Sequence, residues 1–500
     1  MPLLHDYGLR QHQNQRRYRA RERHLGDSAG THRGDGASTH ERGELRREQV
    51  YSLAMSNTVR LITLGCAKNE VDSEEIAGVL QRAGYRLDAH TETPDVVIIN
   101  TCGFLESAQR EGMQVIREAL QLKKQGKTQR VIVAGCMVQR LGESLKQMLP
   151  EVDAWVGVGQ MARFAEIVDS VRSTRQPITD IQPPHHRWAE VPTRLRSRAP
   201  WTAYLKVSEG CDHQCTFCTI PSFRGRHVSK PLERVLAEAR WLAENGAKEI
   251  NLIAQDTTQY GYDLYKQFML PTLLRELNAI EGIEWIRIHY AYPSRITDAL
   301  IHTMASLPKV VKYLDVPLQH ADAKILRAMR RPGDGERYLK MIEQLRAAMP
   351  QIAIRTTFIV GFPGEGEQEF QNLLRFMQKA QLDRVGAFIY SREKGTPSAE
   401  LPEQVPFRVK RERFDQLMRF QQPISLARNK QLIGTTLRVL IEGYSEEGNY
   451  AIGRSHRDAP DVDGLVYVKH CTASPGEFVE VTITHADVYD VWGEAQPESA

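Results

Sequence analysis

Strand-sized apolar runs alternate with helical periodicity from Val59 to about Val171, the pattern of a parallel α/β sheet. Three of these runs end alike: Val59-Arg-Leu-Ile-Thr-Leu-Gly leads into Cys66, Val96-Val-Ile-Ile-Asn-Thr into Cys102, and Arg130-Val-Ile-Val-Ala-Gly into Cys136. A second series covers residues 202–208, 249–254, 284–289, 310–315, 352–360 and 384–390, again separated by helical patterns, and predicts an incomplete parallel barrel of six strands. Beyond residue 435 the runs 437–442, 465–469 and 478–483 alternate as short strands and predict a small all-β module. The expected organisation is an extension at 1–55, an open parallel α/β domain at 58–175, a linker at 176–200, the partial barrel at 201–430 and the β module at 431–496.

The first 55 residues carry repeated arginine but no lysine, the first lysine of the chain being Lys68. Acids interrupt the segment, which argues against a transit peptide. Lacking apolar periodicity it reads as disordered, or as a stretch ahead of a true start at Met55. The linker is marked by Pro177, Pro183, Pro184, Pro192 and Pro200 and by the basic run Arg194, Arg196 and Arg198.

Composition narrows the function. Sixty-six Lys plus Arg against 62 Asp plus Glu leave a net charge of +4, so no global field marks a nucleic-acid coat protein. No apolar run approaches a membrane span. Seven cysteines in 500 residues are too few for a disulfide scaffold, and a reducing cytoplasm is the expected location.

In an open parallel sheet ligands bind beyond the carboxyl ends of the strands, so Cys66, Cys102 and Cys136 can converge although they lie about 35 residues apart in sequence. Gly65 and Gly135 suit a tight turn toward a bulky ligand. A single cysteine would read as a buried core thiol; three at equivalent strand ends read as a thiolate site suited to iron–sulfur or zinc chemistry. Three ligands on a four-metal cluster would leave one metal open to hold an exogenous sulfur.

The most specific motif follows the first barrel strand: Cys211-x3-Cys215-x2-Cys218, with Phe217 just before the last cysteine. Three thiolates on one short loop can wrap one corner of a cubane. A zinc site would need a fourth ligand, and His213 is a poor one because Cys211 and Cys215 constrain its direction. Barrel chemistry sits at the carboxyl ends of the strands, so Gln255, Asp256, Gln319, Gly361 and Gly364 are candidate cofactor contacts, although a glycine turn more often serves chain reversal.

This loop resembles that of the radical S-adenosylmethionine (SAM) enzymes. The resemblance implies a 4Fe-4S cluster on Cys211, Cys215 and Cys218 whose open iron is chelated by SAM, and reductive cleavage to a 5'-deoxyadenosyl radical. With a second three-cysteine site and an all-β tail, the chain from about Val59 to Glu494 resembles a methylthiotransferase. That implies a flavodoxin-like N-terminal domain with an auxiliary 4Fe-4S cluster on Cys66, Cys102 and Cys136, a radical SAM barrel, and a TRAM-like β-barrel. It also implies two uses of SAM, as radical source and as methyl donor, with a reductant such as flavodoxin and a sulfur donor as partners.

The family divides into tRNA-modifying members and a branch acting on an aspartate of small-subunit ribosomal protein S-twelve. Leu64-Gly-Cys-Ala-Lys-Asn-Glu resembles the ribosomal branch, where the tRNA branch more often reads Gly-Cys-Gln-Met-Asn; Asn100-Thr-Cys-Gly-Phe and Gly210-Cys-Asp-His-Gln-Cys agree with it. In the tail, Arg438, Arg454, Arg457 and Lys469 face eleven acids, a balance of −7. Such a surface repels a phosphate backbone and attracts a basic ribosomal protein, unless it is simply a solvated face. Cys471 there reads as structural. The expected reaction is methylthiolation of the aspartate β-carbon. The alternatives are a tRNA methylthiotransferase and, from another class, a non-catalytic iron–sulfur sensor or ribosome assembly factor. Arg224 and Arg226, just past the cluster loop, are candidates to pair with the target carboxylate, and read equally as solvated or cluster-shielding arginines.

Overall fold

The computed structural model describes residues 57–184, 188 and 194–496. The readings of residues 1–55 and of Pro192 lie outside the described residues. No helix among them is long and apolar enough to cross a membrane.

The N-terminal sheet has six parallel strands: β1 (Thr58–Thr63), β2 (Arg86–Leu87), β3 (Val96–Thr101), β4 (Arg130–Gly135), β5 (Ala154–Val156) and β6 (Ile178–Asp180), in the order β2-β1-β3-β4-β5-β6. β3 is buried along its whole length. Its residues alternate between the faces: Val96 and Ile98 pack with Ile76, Leu80 and Phe164, and Val97 and Ile99 with Ile116, Leu120 and Trp155. Helices therefore cover both faces, as an all-parallel sheet requires, and the order reverses between β1 and β3, where a crevice opens at the carboxyl ends.

The central sheet is also parallel and open. Its strands are β7 (Thr202–Lys206), β10 (Glu249–Ile253), β11 (Trp285–Ile288), β12 (Val310–Asp315), β13 (Ala353–Val360) and β14 (Arg384–Ile389), in the order β14-β13-β12-β11-β10-β7. The short strands β8 (Ser208–Glu209) and β9 (Val228–Ser229) form a separate antiparallel pair. The six-stranded incomplete barrel read from the sequence is borne out. Its core, built around Leu205, Ile250, Leu252, Ile286, Ile288, Leu314 and Phe358, is lined by the surrounding helices.

The tail closes into a barrel of five strands: β15 (Thr436–Tyr444), β16 (Ala451–Ser455), β17 (Val466–Lys469), β18 (Phe478–Ala486) and β19 (Val491–Ala495). Three of the five carry the apolar alternation read from sequence. β16 and β19 do not, because Gly453 and Gly493 interrupt them where a Cβ would sit 2.4 Å from Leu440 O and 2.5 Å from Thr482 O. Cys471 packs against this barrel's core.

The barrel packs on the starts of the central strands. Leu440 and Ala459 join Trp285, Val311 and Ala353, and Arg454 reaches Glu249 with Nη2 to Oε2 at 2.6 Å. Burial of Arg454 and Arg457 at this contact removes two of the tail's four bases from solvent. What remains exposed is acidic: Glu446, Glu447, Glu477, Glu480, Asp487 and Glu494 among others, with Arg438 and Lys469.

Candidate functional site

Cys66, Cys102 and Cys136 each follow the carboxyl end of a neighbouring strand, β1, β3 and β4. The backbone brings them close because Gly65 is left-handed at φ +99° with no side chain: a Cβ there would lie 2.7 Å from Cys102 Cβ and 3.2 Å from its Sγ. A Cβ on Gly103 would lie 2.7 Å from the carbonyl carbon of Cys136. Asn69 ties the three loops together. Its Nδ2 donates to Leu64 O at 2.9 Å and Thr101 O at 3.0 Å, and its Oδ1 lies 3.5 Å from Cys136 Sγ. Cys66 is exposed, Cys102 partly so and Cys136 buried.

The second triad sits on the loop between β8 and helix Ile220–Arg224. Gly210, at φ +71°, starts the turn; a Cβ there would lie 2.0 Å from Arg226 O, so only glycine closes this loop. Cys211 N–H donates to Gly225 O at 3.0 Å and Cys218 N–H to Cys215 O at 3.1 Å. Thr216 pins the far side, donating to Met329 O and Ala328 O.

The donor chemistry of both triads, three thiols each, fits an iron–sulfur group. Burial pushes Cys136, Cys211 and Cys218 each up to about 12 and also raises Cys102. As thiolates they need positive charge beside them, which an iron–sulfur cluster provides. Among the described residues no three His, Cys, Asp or Glu side chains are grouped to hold a single metal ion. Around the second loop several buried polar atoms have no partner among the described residues: Ser208 Oγ, Thr219 Oγ1, Gln255 Oε1 and Arg331 Nε. Such orphaned atoms fit a polar, amino-acid-bearing nucleoside.

Arg224 links the first triad to the helix that follows the second. Arg224, from the helix that follows Cys218, donates from Nε to Cys136 Sγ at 3.2 Å, from Nη1 to Glu209 at 2.9 Å, and from Nη2 to Asn69 at 2.7 Å and Asp72 at 2.9 Å. Lys206 of β7 joins Asp72 and lies 3.0 Å from Glu209. Arg194 joins Glu74 to Glu238, and Arg140 joins the Cys102 loop at Gly103 O to Glu393.

The candidates from sequence divide on this geometry. Gln255 donates to Glu209 at 3.1 Å and keeps its Oε1 unpartnered. Gln319 takes a left-handed backbone, φ 72°, four residues past the end of β12. Asp256 is spent on protein, meeting His213 Nε2 at 2.7 Å, Arg295 at 2.8 Å and Thr258 N–H at 2.9 Å; burial alone would raise it, and these bonds hold it below the ordinary carboxylate range. His213 stacks on Tyr292, centroids 3.7 Å apart. At Gly361 the space a Cβ would take holds Lys410 Cγ at 2.3 Å, and at Gly364 the nearest atom is Glu403 Oε2 at 3.4 Å, so both glycines face protein. Arg224 does not await a target carboxylate, since Asp72 and Glu209 already neutralise it, and Arg226 projects into solvent beside Asp212. Sequence reasoning missed Asn69, Arg331 and Tyr290; for Asn69 the signal was present, three residues after Cys66 on the first turn of a helix.

Family models match in the same three parts: Uncharacterized protein family UPF0004 over residues 58–157, the Radical SAM superfamily over 205–377 and the TRAM domain over 433–495. A solved structure of the radical S-adenosylmethionine methyltransferase TsrM from Kitasatospora setae is 14% identical, covers 79% of this chain and 87% of its own, and superposes with a TM-score of 0.51, a likeness of fold. Fold and family define a radical SAM enzyme of the methylthiotransferase class, a transferase that uses SAM and 4Fe-4S clusters.

Curated relatives are closer. The ribosomal protein uS12 methylthiotransferase RimO of Geobacter sulfurreducens is 47% identical over 88% of this chain and 99% of its own length, and that of Moorella thermoacetica 48% identical over 87% and 99%. The chain belongs to the family of ribosomal protein uS12 methylthiotransferases.

Proposed function

We propose that this protein replaces a hydrogen on the β-carbon of an aspartate in ribosomal protein uS12 with a methylthio group, acting in the cytoplasm. The observation that carries the reading is that Arg224, on the helix after Cys218, donates to the sulfur of Cys136, which ties the segment after one three-cysteine loop to the other. Identity of 47–48% to relatives named for uS12 supports the substrate, as does the acidic surface of the C-terminal barrel, complementary to a basic ribosomal protein. That surface lies on the barrel packed at the starts of the central strands, so it would recruit the partner rather than orient the reacting side chain.

Cys211, Cys215 and Cys218 would hold a cluster that would supply the electron for SAM cleavage, and Cys66, Cys102 and Cys136 would hold a group that would offer a place for sulfur. This chain's own residues do the rest. Gly210 and Thr216 fix the cysteine loop, Gln255 and Arg331 offer polar atoms to SAM, and Arg224 offsets negative charge at Cys136. A flavodoxin-type reductant and a sulfur donor complete the reaction.

The test is anaerobic turnover with SAM, a strong reductant and uS12. Wild-type protein is expected to form 5'-deoxyadenosine and methylthiolated uS12. A C66A/C102A/C136A variant is expected to keep the first and lose the second, and C211A/C215A/C218A to lose both. Absence of 5'-deoxyadenosine from wild-type protein would make it a non-catalytic iron–sulfur protein.

A further inference from the structure

The mechanism leaves one cation at the junction unused. Lys68 stands on the first turn of the helix after Cys66 and crosses to the central domain, where its Nζ donates to Ala254 O at 3.2 Å, just past the end of β10. It also lies over the Tyr290 ring, 3.9 Å from the centroid. Arg194, Arg198, Lys206 and Arg224 around it each meet a carboxylate. Among the described residues Lys68 meets no carboxylate within 4.0 Å: it contacts the carbonyl and the ring, and Cys66 and Glu209 act on it only through longer-range charge. An ammonium has three donors, and among the described residues one of them, to Ala254 O, meets a hydrogen-bond acceptor.

Its platform is specialised. Tyr290 holds a left-handed backbone, φ 59°, two residues past β11, a conformation costly for an aromatic residue and found where surrounding structure enforces it for function. Cys66 is exposed, and Lys68 and Tyr290 keep part of their surface open. The cation is thus held between a cysteine of the first triad and the carboxyl ends of the barrel strands, the place a substrate side chain must occupy to meet both chemistries.

The geometry points to Lys68 as the residue that binds the carboxylate of the target aspartate, with Tyr290 holding its ammonium in place. This rests on the proposed aspartate substrate. A carboxylate there would complete the donor set of Lys68 with charge-assisted hydrogen bonds and present its own β-carbon to the site, whereas a neutral amide or a nucleobase would leave the cation uncompensated.

The test compares binding of uS12 with binding of uS12 carrying asparagine at the modified position, using iron-loaded full-length protein. Wild type is expected to favour the aspartate form on the order of tenfold or more, K68M to bind both forms alike, and K68R to retain the preference. Zero-length carbodiimide coupling of the wild-type complex, which needs no variant to fold, is expected to join Lys68 to that same aspartate. Equal discrimination by K68M and wild type, or absence of the Lys68 cross-link, would overturn the assignment alone. A wild type that does not discriminate the two forms would overturn the aspartate substrate and this assignment with it.

Discussion

Arg224 points its Nε at the sulfur of Cys136 from 3.2 Å while its other nitrogens hold Asp72 and Glu209. The guanidinium is buried and belongs to the helix that follows the other cysteine triad, so it ties that helix to the first triad. Its own basicity is held well above the ordinary range: burial alone would lower it, and Asp72, Cys136 and Glu209 outweigh that.

Replacing Arg224 by methionine strands two buried carboxylates. The expected cost is about 3–5 kcal/mol of stability, read by denaturant unfolding. Iron analysis and electron paramagnetic resonance should show loss of the cluster at Cys66, Cys102 and Cys136 with that at Cys211, Cys215 and Cys218 retained. R224K, which keeps one charge but not the fork that reaches four partners, should be intermediate.

Gly210→Ala is expected to abolish the second site without unfolding the protein. Its added Cβ would meet Arg226 O at 2.0 Å in a backbone already at φ +71°, and the loop cannot turn elsewhere because Thr216 and Cys211 anchor it. The variant should lose reductive SAM cleavage and the iron of that loop, while circular dichroism stays close to wild type.

Acid should undock the C-terminal barrel. Glu249 is buried between Arg287, at 3.0 Å, and Arg454, at 2.6 Å; burial alone would raise its carboxyl, and the two guanidinium groups hold it well below the ordinary range. Glu238 behaves alike, held at about 2 by Lys230 and Arg194 against the cost of burial. For a depressed carboxylate the stabilisation is complete above the unfolded value, here 4.5, and is lost as pH falls toward the folded value. Stability measured by urea unfolding should therefore fall steadily from about pH 4.5 toward 2. E249Q should be about 3–5 kcal/mol less stable at neutral pH and show a shallower acid limb.

Much of this site could be read from the chain. Each strand of the first triad is an apolar run with its cysteine just past the end, so topology alone predicted convergence, and Cys211, Cys215 and Cys218 announce their loop by spacing. What could not be read is the wiring between domains. Glu74 meets Arg194 across 120 positions and Glu249 meets Arg454 across 205, and no periodicity records such pairs. The surroundings of Arg224 were hidden for the same reason: an arginine after a cluster loop reads as available, solvated or shielding a cluster, and only the fold brings Asp72, from another domain, to it. The backbone of Tyr290 left no trace because left-handed tyrosine has no sequence signature.

The most direct test of the whole account is intact mass spectrometry of uS12 from cells with and without this gene, with nucleoside analysis of their tRNA. The account predicts that uS12 gains the mass of SCH3 in place of H on one aspartate only when Cys66, Cys102, Cys136, Cys211, Cys215 and Cys218 are all present. Unmodified uS12, with a methylthio-nucleoside in tRNA that disappears with the gene, would contradict it.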